Sequence, residues 1–315
     1  MKMNGRAYGI IGIKSVMANW NADFTGRPKT ISSGEIFGSD KALKYPMKRM
    51  WNNQGERILY IKSYKIDVKG KADEKDKLQP KDLQERYEEI FAPARLEKNT
   101  PSNEVLKNLF SAVDVMNFGA TFADKEQNIS ITGAVQIGQG FNKYEDSRIE
   151  VQDILSPFRN SKKEEAEASS LGTKIMSDEA HYFYHFTVNP ENYNDYIGLV
   201  EGFEGYTREA YDKFKEAACI AVTAFNTNSK LGCENEFALF IECKENERLY
   251  LPELAQFVKF EKGSKNTIDL SGLDFILKFK DSISKIEIYY NPYTTLLKSN
   301  LEAEVRNIFT REVIV

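Results

Sequence analysis

Strand-like and helix-like segments alternate along this chain, but without the regular spacing of a doubly wound sheet. Residues 6–16 form an Ile-rich run bounded by Gly and Asn, and residues 181–188 form an aromatic run; both patterns are typical of strands. Residues 207–225 carry apolar side chains at helical spacing on one side. This order favours a compact α+β sheet domain with long insertions.

The other predicted elements fit an RRM-like or ferredoxin-like core. We treat residues 1–315 as one elaborated domain, with a charged link at about 69–77. Pro46 is placed as an early helical residue, which favours a helix over residues 46–53. Further strands are predicted at residues 56–68, 128–140, 236–243, 275–279 and 285–290, and a C-terminal helix at residues 296–308.

Charge is distributed unevenly along the chain. The net charge is −4, yet residues 1–60 carry ten basic and four acidic side chains. Lys41, Lys44 and Lys48 recur at helical spacing beside Arg49. Such a row either tracks a phosphate backbone or forms a solvated helix face. The aromatic run at 181–188 leaves a similar choice, between stacking on nucleobases and packing in a core.

Several classes of protein are disfavoured. The chain has no apolar run long enough to span a bilayer and no signal-peptide pattern, and its three cysteines have no metal-binding spacing. We therefore expect a cytoplasmic protein without a membrane partner. Walker A, nucleophile-elbow and HExxH motifs are missing. His181 and His185 share one face of a strand, which favours two half-buried sheet residues over a metal pair. No catalytic residue, metal or cofactor is predicted.

Four segments together resemble one family. Their sequences are KYPMKRMW (44–51), DVMNFGATFA (114–123), SITGAVQIGQGFNKYED (130–146) and SLGTKIMSDEAHYFYHFTVNPENY (170–193). In order and spacing they are similar to the Cas7 family, the backbone subunits of type I CRISPR Cascade complexes, and most similar to the I-B branch. The resemblance covers residues 6 to 243.

The resemblance implies a modified RRM-like palm with finger and thumb insertions. It implies a non-enzymatic subunit whose copies stack head to tail along a guide RNA (crRNA), beside other Cascade subunits. Head-to-tail contacts propagate into an open helical filament. Such a subunit holds the guide backbone and leaves bases free to pair with target DNA.

The resemblance also implies individual RNA contacts. The basic helix supplies Lys44, Lys48 and Arg49, and the preceding loop supplies Asn19, Asn21, Arg27 and Lys29. The thumb region covers about residues 140–175, including a low-complexity tip at 161–170, and an apolar residue there, Ile154 or Phe158, wedges at a displaced nucleotide. The residues leading into the thumb are Gln136, Gln139, Phe141, Asn142 and Lys143.

Two other functions stay open at this stage. Type III relatives cut target RNA with a loop aspartate after the first strand, and Asp23 occupies a comparable loop, although a lone loop aspartate is more often a turn former. The second alternative is a stand-alone RRM-type RNA-binding protein. The missing RRM signature and the long insertions count against it.

Overall fold

The computed structural model describes residues 1–67, 76–155 and 171–314. The strands are β1 Ala7–Ala18, β2 Phe37–Gly38, β3 Tyr64–Asp67, β4 Lys77–Pro80, β5 Gly119–Asp124, β6 Gln127–Thr132, β7 Val135–Asn142, β8 Ile149–Leu155, β9 Leu171–Val188, β10 Cys233–Cys243, β11 Lys259–Glu261, β12 Asn266–Asp269, β13 Ile283–Tyr290, β14 Thr295–Lys298 and β15 Glu304–Asn307. The α-helices are α1 Asp40–Asn53, α2 Leu83–Ile90, α3 Ser102–Phe110, α4 Val113–Phe118 and α5 Arg208–Ile220. Three 3₁₀ helices cover Pro190–Tyr196, Leu254–Phe257 and Ser271–Ser282.

An eight-stranded sheet organises the fold. Its order is β15-β13-β10-β1-β9-β7-β2, and β8 pairs with the first half of β9. The Ile-rich β1 lies between two antiparallel neighbours, β9 and β10. A smaller sheet, β11-β12-β14, and two hairpins, β3–β4 and β5–β6, surround it. The prediction of a mixed α+β fold with a central sheet is confirmed.

Both faces of the central sheet are covered. Residues of alternating strand positions, such as Ile11 and Tyr184, pack in one hydrophobic core with helices α1, α4 and α5. The opposite face, which includes Ile10 and Phe183, packs against the chain between Leu249 and Leu301. The aromatic residues of β9 are therefore core residues, each at most 1 % exposed: Tyr182, Phe183, Tyr184 and Phe186. Their burial contradicts base stacking on this sheet, and the core-packing alternative is correct.

Helix α1 is longer than predicted. It begins at Asp40, after Ser39, whose hydroxyl accepts a hydrogen bond from the Ala42 N–H at 3.3 Å. Pro46 lies inside the helix, not in its first turn. A proline costs about 3 kcal/mol in a helix interior. The buried stripe Leu43, Met47 and Trp51 offsets that cost by packing against the core.

The predicted strand over residues 56–68 is mostly wrong, because only Tyr64–Asp67 pairs as a strand. Ile58 and Leu59 are buried without a neighbouring strand. The buried carboxylate of Asp114 accepts hydrogen bonds from the Leu59 and Tyr60 N–H groups, at 2.9 and 2.8 Å. A side chain distant in sequence therefore replaces the ladder hydrogen bonds that the strand-like pattern suggests.

The C-terminal predictions fail for a related reason. Residues 275–279 lie in the 3₁₀ helix Ser271–Ser282, where Leu273 and Ile276 are buried three positions apart. Residues 296–308 contain β14 and β15 instead of a helix. These strands pair in parallel with β12 and β13, respectively. The two segments become strands because β12 and β13 offer them unpaired edges, and strand preference depends strongly on tertiary context.

Most remaining elements agree with the predictions. Strand β10 covers residues 236–243, β13 covers 285–290, and β9 extends well before residue 181. Helix α5 begins after Thr207, whose hydroxyl accepts a hydrogen bond from the Ala210 N–H at 3.1 Å. The run 128–140 is two strands, β6 and β7, separated at Gly133.

The charged link at 69–77 lies mostly outside the described residues, and the tip at 161–170 lies wholly outside them. None of the described helices is long and apolar enough to cross a membrane.

Candidate nucleic-acid interface

The fold brings most of the predicted RNA contacts to one side of the central sheet. Strands β7 and β2 form that edge, and β2 joins the loop at residues 19–36 to helix α1. The first half of β9 pairs with β8 and extends beyond β7 as a two-stranded ribbon. The loop, helix α1, β7 and the ribbon are thus neighbours, although they come from separate parts of the sequence.

A groove of about 580 Å³ lies between α1 and the β5–β6 hairpin. Three lysines of α1 and several aromatic residues line it. The lining residues include Lys41, Lys44, Lys48, Tyr45, Tyr60 and Phe118. The basic row of α1 therefore faces a cleft that also has aromatic walls, which a purely solvated helix face does not have.

Two of the three lysines of the groove are held by contacts with their surroundings. The Lys44 ammonium lies 3.0 Å from a carboxylate oxygen of Asp40 and 5.2 Å from the centre of the Phe118 ring. The Lys48 ammonium donates a hydrogen bond to the Tyr60 carbonyl at 3.3 Å. Burial lowers the pKa of Lys48, and the nearby Asp114 carboxylate opposes that shift. An anion in the groove would meet preformed positive charge at limited entropic cost.

Arg49 does not line this groove. Arg49 is half-buried and lies about 100° around the helix from Lys48, the residue before it. Lys41 takes the third basic position in the groove. The helical spacing of the basic row identifies Lys41 as a groove residue. No sequence pattern identifies Tyr60 as one, because its segment resembles a strand.

A buried polar cluster anchors the loop at residues 19–36. The Trp20 indole donates a hydrogen bond to the Tyr184 hydroxyl at 2.5 Å. The Lys230 ammonium donates to the carbonyl of Asn19 at 2.6 Å and to that of Trp20. Burial lowers the pKa of Lys230. The Asn19 amide donates to the carbonyls of Gly26 and Ile175, at 2.9 and 3.0 Å. Asn19 is buried and positions the loop.

The other predicted loop residues have two roles: one holds the loop in place by a hydrogen bond, and two are accessible cations. The Asn21 side chain accepts a hydrogen bond from the Ser39 N–H at 2.9 Å, which ties the loop to the start of α1. Arg27 is exposed and Lys29 is half-buried. These two side chains are therefore available for phosphate contacts, while Asn21 holds the loop against the helix.

The predicted residues of β7 differ in accessibility. Gln136 and Gln139 are exposed, and Phe141 is half-buried with its ring centre 6.2 Å from that of Phe37. The Asn142 amide group is fully engaged inside the protein, since its oxygen accepts from the N–H groups of Tyr144 and His181 and its nitrogen donates to Tyr144 and Ser147. Lys143 is half-buried. Asn142 therefore stabilises the turn after β7.

The ribbon carries apolar side chains into solvent. Ile154 is 49 % exposed, and Val151 and Leu155 are also exposed. Ile154 pairs across the ribbon with Gly172, which offers no side chain to cover it. Ile154 is thus a surface residue and not a core residue. Phe158, the other predicted wedge, lies outside the described residues.

Replacing Ile154 with alanine is expected to change the free energy of unfolding by less than about 1 kcal/mol, because the side chain is already half in water. Ile288→Ala is the matched control. Ile288 is fully buried in β13, and its truncation is expected to cost at least about 2 kcal/mol. Thermal unfolding of both variants measures the difference. Equal losses for the two variants would place Ile154 in the core instead.

The two histidines are structural in different ways. His181 is fully buried, and its ring nitrogens lie 2.8 Å from Glu236 and 3.0 Å from Glu179. Burial alone lowers the pKa of His181, but these two carboxylates outweigh it and raise that pKa. His185 accepts a hydrogen bond from the Leu254 N–H at 3.2 Å, and burial lowers its pKa to about 4. His185 thus connects the C-terminal segment to the sheet by a hydrogen bond, and His181 does so by stacking on Phe260, with the ring centres 3.9 Å apart.

These features define a mixed α+β protein with a cation-lined groove and a protruding ribbon on one side of its sheet. The family model described as CRISPR-associated protein Cas7 matches residues 5–279, most of the chain. The chain therefore belongs to the Cas7 family.

Solved structures add evidence on the fold. A chain of the structure titled "CRISPR RNA-guided surveillance complex, pre-nicking" is 12% identical in sequence, and 96% of each chain is covered at a TM-score of 0.53. At this level of identity the similarity concerns the fold alone. No curated protein matches the sequence.

Proposed function

We propose that this chain is a non-catalytic backbone subunit of a type I CRISPR surveillance complex, of the I-B branch. Its copies assemble head to tail along a guide RNA, next to other Cascade subunits in the cytoplasm, and leave guide bases free to pair with target DNA. Its palm is an elaborated RRM-like domain, with the β8–β9 ribbon as the base of the thumb. Membership of the Cas7 family and the likeness to a chain of a surveillance complex support this role.

The groove between α1 and the β5–β6 hairpin is the observation that carries the proposal. Lys41, Lys44 and Lys48 line it and outnumber the single lining carboxylate, Asp40. Phosphate oxygens entering the groove would replace Asp40 as the partner of Lys44. Contacts of this kind are electrostatic and independent of base sequence, as a holder of variable guides requires.

Because both faces of the central sheet are covered, the structure favours a backbone subunit over a stand-alone RRM-type protein. Such proteins read RNA by stacking bases on aromatic residues of an open sheet face. Here the aromatic residues of β9 are buried between the helices and the C-terminal segment. RNA would instead follow the edge of the sheet, where the loop, the groove and the ribbon meet.

The surroundings of Asp23 support a non-catalytic role. One of its carboxylate oxygens accepts hydrogen bonds from the Thr25 N–H and hydroxyl, at 2.8 and 2.7 Å, and from the Arg27 N–H at 3.0 Å. The hydrogen bond from the Thr25 hydroxyl is the main cause of a lowered pKa at Asp23. A carboxylate of low pKa is a weak general base, and its place here is that of a turn former.

Assembly with RNA tests the proposal. The purified protein is expected to bind unrelated single-stranded RNAs with similar affinity and to form helical or polydisperse oligomers with them. Size-exclusion chromatography with light scattering, with and without RNA, measures both. A strict monomer that ignores RNA at low salt would refute the proposal. Evenly spaced cuts in complementary RNA, added with Mg²⁺ to the guide-loaded complex, would refute the non-catalytic part alone.

A further inference from the structure

A tight turn at the tip of the loop holds an aromatic ring in water. The Asp23 N–H donates a hydrogen bond to the Arg27 carbonyl at 2.8 Å, and the Gly26 N–H donates to the Asp23 carbonyl at 3.2 Å. Phe24 lies inside this turn, and its side chain is fully exposed. No residue of 1–67, 76–155 or 171–314 forms an aromatic pair with it.

Several hydrogen bonds hold the backbone beneath Phe24. The Asp23 carboxylate closes the turn, and the Asn19 amide donates to the carbonyl of Gly26. Lys230 and Trp20 fix the base of the loop in the core. A ring on a rigid support loses little backbone entropy when it makes a contact, so it is preorganised for binding. Leaving such a ring in water gives up the favourable burial of its apolar surface.

The charges around Phe24 favour a polyanion as its partner. Arg27 is exposed three residues further on, and Lys29 follows it. Asn21 ties the same loop to the start of α1, where Lys41 begins the lysine row of the groove. The adjacent carboxylate, Asp23, accepts hydrogen bonds within the turn. An exposed ring in a loop that carries two cations complements a strand of phosphates with unpaired bases better than it complements an apolar protein surface.

We propose that Phe24 stacks on an unpaired nucleobase of single-stranded RNA whose phosphates contact Arg27 and Lys29. This inference rests on the proposed function and adds a base contact in the loop to the one predicted for the ribbon. Every base has a π face, so stacking on a phenyl ring accepts any guide sequence.

Binding of a labelled, mixed-sequence RNA of about 30 nucleotides to Phe24 variants tests the inference. Phe24→Ala is expected to weaken binding about 5- to 150-fold, the effect of losing one stacked base per bound copy. Phe24→Tyr keeps the aromatic face and is expected to bind like the wild type. Phe24→Leu keeps apolar bulk without the ring, so it is expected to weaken binding nearly as much as alanine does.

An RNA with abasic sugars separates stacking from other effects. On that RNA, Phe24→Ala and the wild type are expected to bind equally, because no base is present to stack. Leu231→Ala, at another exposed apolar residue, is the control and is expected to bind like the wild type on both RNAs.

Two binding results would overturn the inference. One is wild-type affinity of Phe24→Leu or Phe24→Ala for the mixed-sequence RNA. The other is a loss of affinity by Phe24→Ala that is as large on the abasic RNA as on the mixed-sequence RNA. If Phe24→Ala binds RNA normally but fails to oligomerise, Phe24 contacts a second copy and the inference is also overturned. A wild-type protein without RNA affinity would instead refute the proposed function.

Discussion

Replacing Gly9 with alanine is expected to lower the free energy of unfolding by about 3 kcal/mol or more, which corresponds to a fall of roughly 4 to 5 °C or more in Tm for a chain of 315 residues. Gly9 lies in β1, at the centre of the sheet, opposite Phe186 of β9 and Phe240 of β10. A Cβ atom at Gly9 would overlap the Leu239 carbonyl oxygen and the Phe186 ring. The backbone of the central strand would have to move, because a carbonyl in a hydrogen-bonded ladder cannot rotate away.

Gly138→Ala is the matched control for this prediction. Gly138 also lies in a strand of the sheet, but a Cβ atom there would have the His185 carbonyl oxygen, at 3.6 Å, as its nearest neighbour. That distance is an ordinary contact, so the free energy of unfolding is expected to change by less than about 1 kcal/mol. Thermal or denaturant unfolding of both variants gives the comparison. A Gly9→Ala protein as stable as Gly138→Ala would show that β1 is not packed between β9 and β10 as described.

Neutralising two lysines of the groove, Lys41→Gln with Lys44→Gln, is expected to weaken RNA binding roughly 25-fold at 0.1 M salt. Each lost phosphate contact removes about 0.7 from the log–log salt slope on single strands. Two contacts remove about 1.4, which amounts to roughly 25-fold at 0.1 M salt and only about threefold at 0.5 M. The loss is expected to be the same for unrelated RNA sequences, because phosphate contacts carry no base information.

Titrations of RNA at several salt concentrations measure both the affinity and the slope. Lys278→Gln with Lys280→Gln removes the same charge from exposed positions in the C-terminal 3₁₀ helix, and is expected to leave the slope unchanged. Arg49→Gln is expected to change the slope little, since Arg49 does not line the groove. If the groove variant and the C-terminal variant behave alike, the lysine row is an ordinary solvated surface.

Part of the candidate site was accessible from sequence alone. The spacing of Lys41, Lys44 and Lys48 places them on one helical face, and that face lines the groove. Spacing does not supply the opposite wall, which Phe118 and the β5–β6 hairpin contribute from more than sixty residues away. It also did not separate exposed Arg27 from buried Asn19, because neighbours in an irregular loop have no fixed periodicity of burial.

The sequence by itself determined the elements with dense, regular apolar patterns: β1, β9, β10 and helix α5. Their side chains require burial on a defined face whatever surrounds them. Tertiary structure alone decided the segments whose polar backbone groups found distant partners. The Asp114 carboxylate accepts hydrogen bonds from the N–H groups of Leu59 and Tyr60, so these residues do not pair as a strand. The C-terminal strands β14 and β15 form because they pair with β12 and β13. A buried backbone N–H needs an acceptor, which a helix, a sheet or a side chain can supply, and the geometry of the folded chain decides which acceptor it meets.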